Sequence, residues 1–161
     1  MGQENLIEAV REKLGEAVER VADSFGDTVV ILRPGAVRAA MAALREPPFD
    51  YAVLLDLTCV DFAADEGRYE LVYHLYSLSR NVRLRIKASL PAADPAVETL
   101  VGLWKNAEWL EREVFDMFGV RFEGHPYLRR LLTYEGFEGH PLRKSYPWRL
   151  GQPRLPLKDD V

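Results

Sequence analysis

The amino-acid sequence predicts an α+β fold in which N-terminal helices pack on a mostly antiparallel sheet, followed by a helix and a long, loop-rich, basic C-terminal segment. A change of apolar period predicts this fold. Apolar residues recur at helical spacing before residue 46 and at every second position from residue 51 to residue 88. No period survives after Gly119. With 161 residues, 48% of them apolar, the chain has the length and composition of one globular domain.

The N-terminal third is predicted to hold two helices around one strand. Residues 6–25 show helical spacing, and Gly15 weakens this first helix without ending it. Residues 28–32 form a short apolar strand. Pro34 opens a second helix, and Pro47-Pro48 ends it because proline lacks the N–H that a helix needs.

Three predicted strands follow, at residues 51–62, 68–78 and 82–88, joined by short polar turns. Their alternating apolar residues indicate an antiparallel meander with one buried face. In the first of these strands, the buried face is expected to include Leu55 together with Cys59.

Two further helices are predicted before the pattern ends. Asp94-Pro95 fits an N-cap followed by proline, for a helix that reaches Trp104, and Asn106 caps another helix that runs to Phe118. Gly119 suits the position after that helix, where a left-handed backbone favours glycine.

These patterns divide the chain into an α+β domain, residues 1–120, and a loop-rich partner-docking segment with a C-terminal tail, residues 121–161. Between residues 121 and 158 there are eight basic and three acidic side chains, a net charge of +5 on a chain whose total is −4. Such a basic, aperiodic segment is typical of docking on a partner of opposite charge. Pro147 and Trp148 favour an extended arm with an aromatic anchor.

Several classes of function are excluded by composition. Cys59 is the single cysteine, so this chain alone cannot form an internal disulfide or ligate an iron–sulfur cluster with cysteines. A buried, inert thiol is expected there rather than a nucleophile. No stretch approaches the roughly 20 apolar residues of a membrane-spanning helix, and no secretory leader is expected. The acidic total charge and the lack of a binding motif argue against nucleic acid.

Charged side chains lie in two places that allow a site. On the predicted strand 82–88, Arg83, Arg85 and Lys87 alternate outward, either as a solvated face or as a surface for an anion or partner. On the helix 106–118, the spacing of Glu108, Arg112 and Asp116 predicts ion pairs that fix Arg112. Glu111 and Glu113 fall outside that stripe. Paired carboxylates can perform acid–base chemistry, but solvated helix charges are the simpler interpretation.

The sequence Phe-Glu-Gly-His-Pro occurs twice, at residues 122–126 and 137–141. Two His and two Glu side chains allow a zinc site in a free-standing metal-dependent hydrolase. However, His125 and His140 lack helical i, i+4 spacing, and each precedes a proline that fixes extended backbone. Hydrogen bonding of each ring to loop backbone is the alternative.

These motifs resemble the signature of the 30 kDa (C-type) subunit family of respiratory complex I, the NADH:quinone oxidoreductase. The resemblance rests on residues 109–119, on both Gly-His-Pro turns with the basic residues after them, and on residues 56–61 and 72–78; it covers most of residues 51–147. It assigns the family signature and the partner interface to these residues: Glu111, Arg112, Glu113, Asp116, Gly119, His125, Pro126, Arg129, Arg130, His140, Pro141, Arg143 and Lys144.

The resemblance implies a hydrophilic subunit that binds no cofactor and has no catalytic or metal-binding residues of its own. NADH, flavin, iron–sulfur clusters and quinone would be handled by other subunits. The implied partners are the D-type subunit, which is related to the hydrogenase large subunit, and other peripheral-arm subunits. The implied location is peripheral, on the cytoplasmic side of the inner membrane.

Two departures from the family pattern lie in the basic segment. Tyr127 stands where an Asp commonly follows Gly-His-Pro, and Ser145 stands where an Asp commonly follows Arg-Lys. Related subunits also serve membrane-bound hydrogenases and ferredoxin-fed complexes, so the electron donor stays open.

Overall fold

The computed structural model describes residues 3–149 and 151–153. The helices are α1 (Gln3–Leu14), α2 (Val37–Arg45), α3 (Ala63–Glu66) and α4 (Ala107–Phe118). The strands are β1 (Val18–Ser24), β2 (Asp27–Leu32), β3 (Val53–Phe62), β4 (Arg68–Ser77), β5 (Val82–Pro91), β6 (Ala96–Glu98) and β7 (Arg121–Glu123).

Five strands form one sheet in the order β1-β2-β5-β4-β3. The β2–β5 pair is parallel and the other three pairs are antiparallel. The predicted meander is therefore present as β3, β4 and β5, and the α+β fold with a mostly antiparallel sheet is confirmed. β6 and β7 form a separate, parallel pair.

The core lies between one face of the large sheet and the helices. Leu71, Tyr73 and Leu75 of β4 alternate onto that face and are fully buried, as are Val37 and Met41 of α2. The opposite face is charged. There Arg85 pairs with Asp27 and Lys87 with Glu70, so two of the three outward cations of β5 are held in ion pairs on the sheet.

The first helix is shorter than predicted because Gly15 ends it. Gly15 adopts a left-handed φ of +51°, and the chain after residue 17 turns into β1. Apolar residues such as Val18 and Val21 fit either a helix or a strand. They form a strand because β1 pairs with β2 through the Phe25-Gly26 turn, which supplies backbone hydrogen bonds.

The predicted helix after Asp94-Pro95 is also wrong. Residues 96–98 form strand β6, because Val97 pairs with Phe122 of β7, and Asp94 forms an ion pair with Arg121. The partner strand comes from a later part of the sequence, so local periodicity cannot show it. For the same reason β7 stands in a segment that shows no period.

A register irregularity in β3 changes which side chains face the core. It lies between Leu54 and Asp56, and it leaves Leu55 45% exposed while Leu54 and Cys59 are buried. The expectation that Leu55 shares the buried face with Cys59 is therefore wrong. Burial raises the pKa of the Cys59 thiol to about 12, which keeps it protonated and inert at neutral pH.

Candidate functional site: helix α4 and the segment that follows it

Helix α4 carries the charged residues of the site and ends as the sequence predicts. Gly119 has a left-handed φ of +74° after Phe118. Asn106 stands at the N-cap position, but its side-chain amide donates to the carbonyl of Leu54 on β3 at 2.7 Å instead of capping the helix. This bond ties the beginning of α4 to the edge of the large sheet.

Three charged side chains of α4 are buried, although solvated helix charges are the simpler expectation from sequence. Glu111 and Asp116 are fully buried and Arg112 is 4% exposed, whereas Glu113 is exposed. A buried charge needs hydrogen bonds or a counter-ion. The partners of these three groups therefore define the site.

Asp116 holds the loop at residues 130–133. Its Oδ2 accepts backbone N–H bonds from Leu131, Leu132 and Thr133 at 2.8–3.0 Å. Its Oδ1 accepts from the Arg130 guanidinium at 2.8 Å and from the Thr133 hydroxyl at 2.5 Å. Burial alone would raise the pKa of Asp116, but these hydrogen bonds favour the carboxylate more strongly and lower the pKa to about 2.

Arg112 holds the same loop as a hydrogen-bond donor, whereas Asp116 holds it as an acceptor. Its Nε donates to the carbonyl of Arg129 at 3.2 Å and its Nη2 donates to the carbonyl of Arg130 at 3.1 Å. Its guanidinium also lies 5.1 Å from the ring centroid of Trp109. The predicted ion pairs with Glu108 and Asp116 do not form, because the side chain turns toward the loop carbonyls instead of running along the helix.

Glu111 faces the other side of α4, toward the chain after β6. It accepts from the Thr99 hydroxyl at 2.5 Å and from the Leu100 N–H at 2.6 Å. Arg38 of α2 donates to the Thr99 carbonyl at 2.6 Å. Burial raises the pKa of Glu111 to about 7, despite the two hydrogen bonds and the charge of Arg38.

The two Gly-His-Pro turns make matching contacts with α4. A ring nitrogen of His125, Nε2, bonds the carbonyl of Glu108 at 3.2 Å, and the other accepts the Tyr127 N–H at 3.0 Å. His140 bonds the carbonyl of Asp116 through Nδ1 at 2.9 Å. Both rings thus bond carbonyls of helix α4, and His125 also bonds loop backbone, so the predicted bonding of each ring to loop backbone is met by His125 but not by His140. The two carbonyls are eight residues apart, about 12 Å along the helix, so the histidines are not brought together.

The second turn caps the C-terminus of α4. The last carbonyls of α4 accept hydrogen bonds from His140, from the Leu142 N–H at 3.1 Å, and from the Arg143 guanidinium, which donates to the Phe118 carbonyl at 2.6 Å. A Cβ on Gly119 would lie 2.6 Å from Nε2 of His140, so this close approach requires glycine. Burial lowers the pKa of His140, and the nearby Arg143 and Arg130 charges lower it further.

Asp61 at the end of β3 holds the second turn from outside the helix. One of its carboxylate oxygens accepts the Lys144 N–H at 2.7 Å, and the other accepts the Ala63 N–H at 2.7 Å. Asp61 and Thr133 are not among the site residues predicted from the sequence, although Asp61 lies in the stretch 56–61 that carries the family resemblance. Their contacts with Lys144 and Asp116 span 83 and 17 residues, so no local pattern shows them. Arg154 and Lys158 lie outside the described residues.

The outer surface of this region is apolar and basic. Five large apolar side chains of α4 and the segment after it are more than half exposed: Trp109, Tyr127, Leu132, Leu142 and Trp148. Beside α4, an open cleft of about 530 Å³ is lined by Arg112, Arg129, Arg130, Leu131, Thr133, Glu135 and Gly136. The exposed Arg129 lies over the Tyr127 ring at 4.3 Å.

Neither a metal site nor a membrane span is found across residues 3–149 and 151–153. No group of three or more His, Cys, Asp or Glu side chains there could hold a metal ion. None of the helices in this part of the chain has the length and apolar character needed to cross a membrane.

Comparison with known proteins identifies the family. The family model described as "Respiratory-chain NADH dehydrogenase, 30 Kd subunit" matches residues 30–151. The C-type subunit of the NADH-quinone oxidoreductase of Thiobacillus denitrificans is 42% identical over 152 residues, covering 89% of this chain and 76% of that protein. The protein of the same name from Geotalea uraniireducens is 38% identical over 149 residues, covering 92% and 90%.

Solved structures with a similar fold agree with this family assignment. A trypsin-resistant fragment of Nqo5 superposes with a TM-score of 0.68 at 30% identity, covering 80% of this chain and all of that one. A chain of the membrane-bound sulfane sulfur reductase, an archaeal respiratory membrane complex, superposes with a TM-score of 0.73 at 22% identity, covering 98% of both chains, which shows a shared fold. The chain belongs to the family of the 30 kDa, C-type subunit of the respiratory-chain NADH dehydrogenase.

Proposed function

We propose that this chain is a cofactor-free peripheral-arm subunit of a proton-translocating NADH:quinone oxidoreductase. It docks on and stabilises the D-type subunit, the one related to the hydrogenase large subunit, at the cytoplasmic side of the inner membrane. The names of its relatives support the complex. One observation supports the docking role: hydrogen bonds hold residues 125–144 against α4, while the outer surface of these residues is apolar and basic.

The clamp explains why a segment without regular structure holds one shape. Arg112 binds its carbonyls, Asp116 binds its N–H groups, and the two histidines bind the carbonyls of α4. Each hydrogen bond to a charged group contributes about 1.5–3 kcal/mol. A loop fixed before binding loses less conformational entropy when a partner covers it, which favours affinity.

The exposed side chains are of the kinds that dominate binding energy at interfaces. Trp, Tyr and Arg are enriched at such positions, and Trp109, Tyr127 and Arg129 supply all three on one side of α4. We assign the partner interface to this surface and to the segment at residues 121–161. In this proposal the signature residues Glu111, Asp116 and Gly119 support the interface from inside, and Arg129 and Lys144 contact the partner.

No residue of this chain is assigned a role in electron transfer. The buried Glu111 and Asp116 are each bound by groups of the chain itself, which gives them a structural use. NADH, flavin, iron–sulfur clusters and quinone are handled by other subunits in this proposal.

A second candidate is the equivalent subunit of a membrane-bound hydrogenase or a ferredoxin-fed complex. The whole-length likeness of fold to a chain of an archaeal respiratory membrane complex favours it. The relatives that are 36–42% identical and carry the name of an NADH-quinone oxidoreductase favour the first candidate.

The test is purification of the affinity-tagged chain from detergent-solubilised membranes of its own cells. We expect it to bring down a multisubunit complex with iron–sulfur absorption, which reduces quinone with NADH. Activity with reduced ferredoxin but not NADH would select the second candidate. A chain that elutes alone, or that carries stoichiometric flavin or cluster absorption when purified by itself, would contradict the proposal.

A further inference from the structure

Arg112 is a buried cation that the chain leaves without a carboxylate. The side chain is more than nine-tenths buried, and its hydrogen bonds go to two backbone carbonyls. Among the residues described, none of the Asp and Glu side chains forms an ion pair with it. Asp116, one of the two carboxylates at helical spacing from Arg112, is already bound by Arg130 and by the loop.

Arg112 lines the cleft and has unused hydrogen-bond donors. A guanidinium has five N–H donors, and Arg112 uses one on Nε and one on Nη2, while its Nη1 forms no hydrogen bond with the described residues. Arg112 lines the open cleft beside α4, as does Arg129. Burying a charge without an opposite charge is costly, so this arrangement is suited to an anion that enters the cleft from outside.

Arg129 adds a second positive charge at the rim. It is exposed, stacks on the Tyr127 ring, and has no ion pair among residues 3–149 and 151–153. Of the remaining charged groups that line the cleft, Arg130 is paired with Asp116, and Glu135 is the sole acidic side chain. The lining of the cleft therefore has an excess of positive charge, and it includes two guanidiniums, Arg112 and Arg129, that have no ion pair among the residues described.

We propose that this cleft receives an Asp or Glu side chain from an acidic segment of a partner subunit, which forms an ion pair with Arg112 and Arg129. This inference rests on the proposed function, since it requires that the chain assembles with partners. It adds the chemistry of the contact: a carboxylate held beside α4 by two guanidiniums, each of which lies over an aromatic ring, Arg112 over Trp109 and Arg129 over Tyr127. Charge complementarity selects an acidic protein segment as the occupant.

Zero-length cross-linking tests the proposal directly. The variant Arg129→Lys places an amine at the rim, and a carbodiimide joins an amine to a carboxylate only where the two are in contact. In the purified complex we expect mass spectrometry to find the introduced lysine linked to an Asp or Glu of another subunit. The matched control is Arg83→Lys on the exposed face of β5, where no link to another subunit is expected. A link only to Glu135 of the same chain, or no link at the cleft, would overturn the proposal.

Charge reversal gives a second, independent measurement. Because Arg129 is exposed, Arg129→Glu should leave the thermal unfolding of the chain unchanged, and it should raise the rate of loss from the immobilised complex at least tenfold. Arg83→Glu, the same charge change elsewhere, should leave that rate unchanged. A change below tenfold for Arg129→Glu, or an equal change for both variants, would overturn the carboxylate contact. It would remove Arg129 from the assigned interface but would not contradict assembly into the complex, which is tested separately by whether the unmodified chain brings down partners.

Discussion

Replacing Asp116 with Asn tests whether the buried carboxylate is what holds the loop after the first Gly-His-Pro turn. The two oxygens of Asp116 accept five hydrogen bonds, three from backbone N–H groups and two from the side chains of Arg130 and Thr133. An Asn amide group in either orientation points a donor at donors. The change also leaves Arg130 without its counter-ion.

The expected loss follows from breaking a buried, hydrogen-bonded charge pair, which costs about 3–5 kcal/mol. The pH dependence supplies a second number. Lowering the pKa of Asp116 from 3.8 to about 2 contributes about 2.5 kcal/mol of stability. Because the pKa is lower in the folded state, this stability is fully present above about pH 4 and is lost as the pH falls toward 2. The Asp116→Asn variant should lack that part of the acid-induced loss.

The assay is urea denaturation of the chain at pH 7 and at several values below pH 4. Glu113→Gln is the matched control, since it makes the same chemical change at an exposed carboxylate of the same helix, and we expect it to lie within about 0.5 kcal/mol of the unmodified chain. A loss below about 1 kcal/mol for Asp116→Asn, or an acid profile identical to that of the unmodified chain, would refute this reasoning.

Three further substitutions test the buried Glu111, the close approach at Gly119 and the cap at the C-terminus of α4. Burial raises the pKa of Glu111 from 4.5 to about 7, so its contribution to the free energy of unfolding falls by about 3 kcal/mol as the pH rises through that window. Glu111→Gln should remove this fall. Denaturation at pH 5 and pH 8 measures it, and an equal difference between the two pH values in the variant and in the unmodified chain would contradict the reasoning. Gly119→Ala should lower the free energy of unfolding by at least about 2 kcal/mol, because Gly119 has a left-handed φ and His140 approaches it closely. The control is Gly67→Ala, which has a left-handed φ in open space and should cost about 1 kcal/mol. Equal losses for the two variants would contradict the effect of the close approach. Arg143→Glu should destabilise the chain by about 2 kcal/mol, because it removes the donor to Phe118 and places a negative charge at a helix C-terminus. Lys144→Glu breaks an exposed ion pair with Asp65, so it should lower the stability by less than about 1 kcal/mol and should weaken assembly. A larger loss of stability for Lys144→Glu than for Arg143→Glu would contradict these roles.

The sequence predicts those parts of the fold that depend on local pattern. Helix α4 and the left-handed Gly119 are predictable because an apolar stripe and a terminal glycine lie within one short stretch. The strand β1 is not, because Val18 and Val21 suit either period, and pairing with β2 decides between them. Strands β6 and β7 depend on each other across more than 20 residues, which no local window contains.

The sequence predicts which residues belong to the site better than it predicts which partners they contact. The repeated Gly-His-Pro turns point to His125 and His140 and predict bonds to loop backbone, whereas in the structure both rings bond carbonyls of helix α4 and His125 alone also bonds the loop. The predicted partners of Arg112 are wrong, because helical spacing considers neighbours on one helix whereas the structure supplies carbonyls from 17 and 18 residues later. The burial of Glu111 and Asp116 has no signal in a single sequence, since a charged residue is ordinarily exposed.

Hydroxyl-radical footprinting of the chain, alone and in its purified complex, tests most directly whether the apolar and basic surface of α4 and the segment after it is the docking surface. We predict that labelling of Trp109, Tyr127 and Leu132 falls sharply on assembly. Phe25, fully exposed at the tip of the β1–β2 hairpin, serves as the internal control and should be labelled equally in both states. Unchanged labelling of Trp109, Tyr127 and Leu132 in a complex that contains the chain would contradict the assignment of the docking surface.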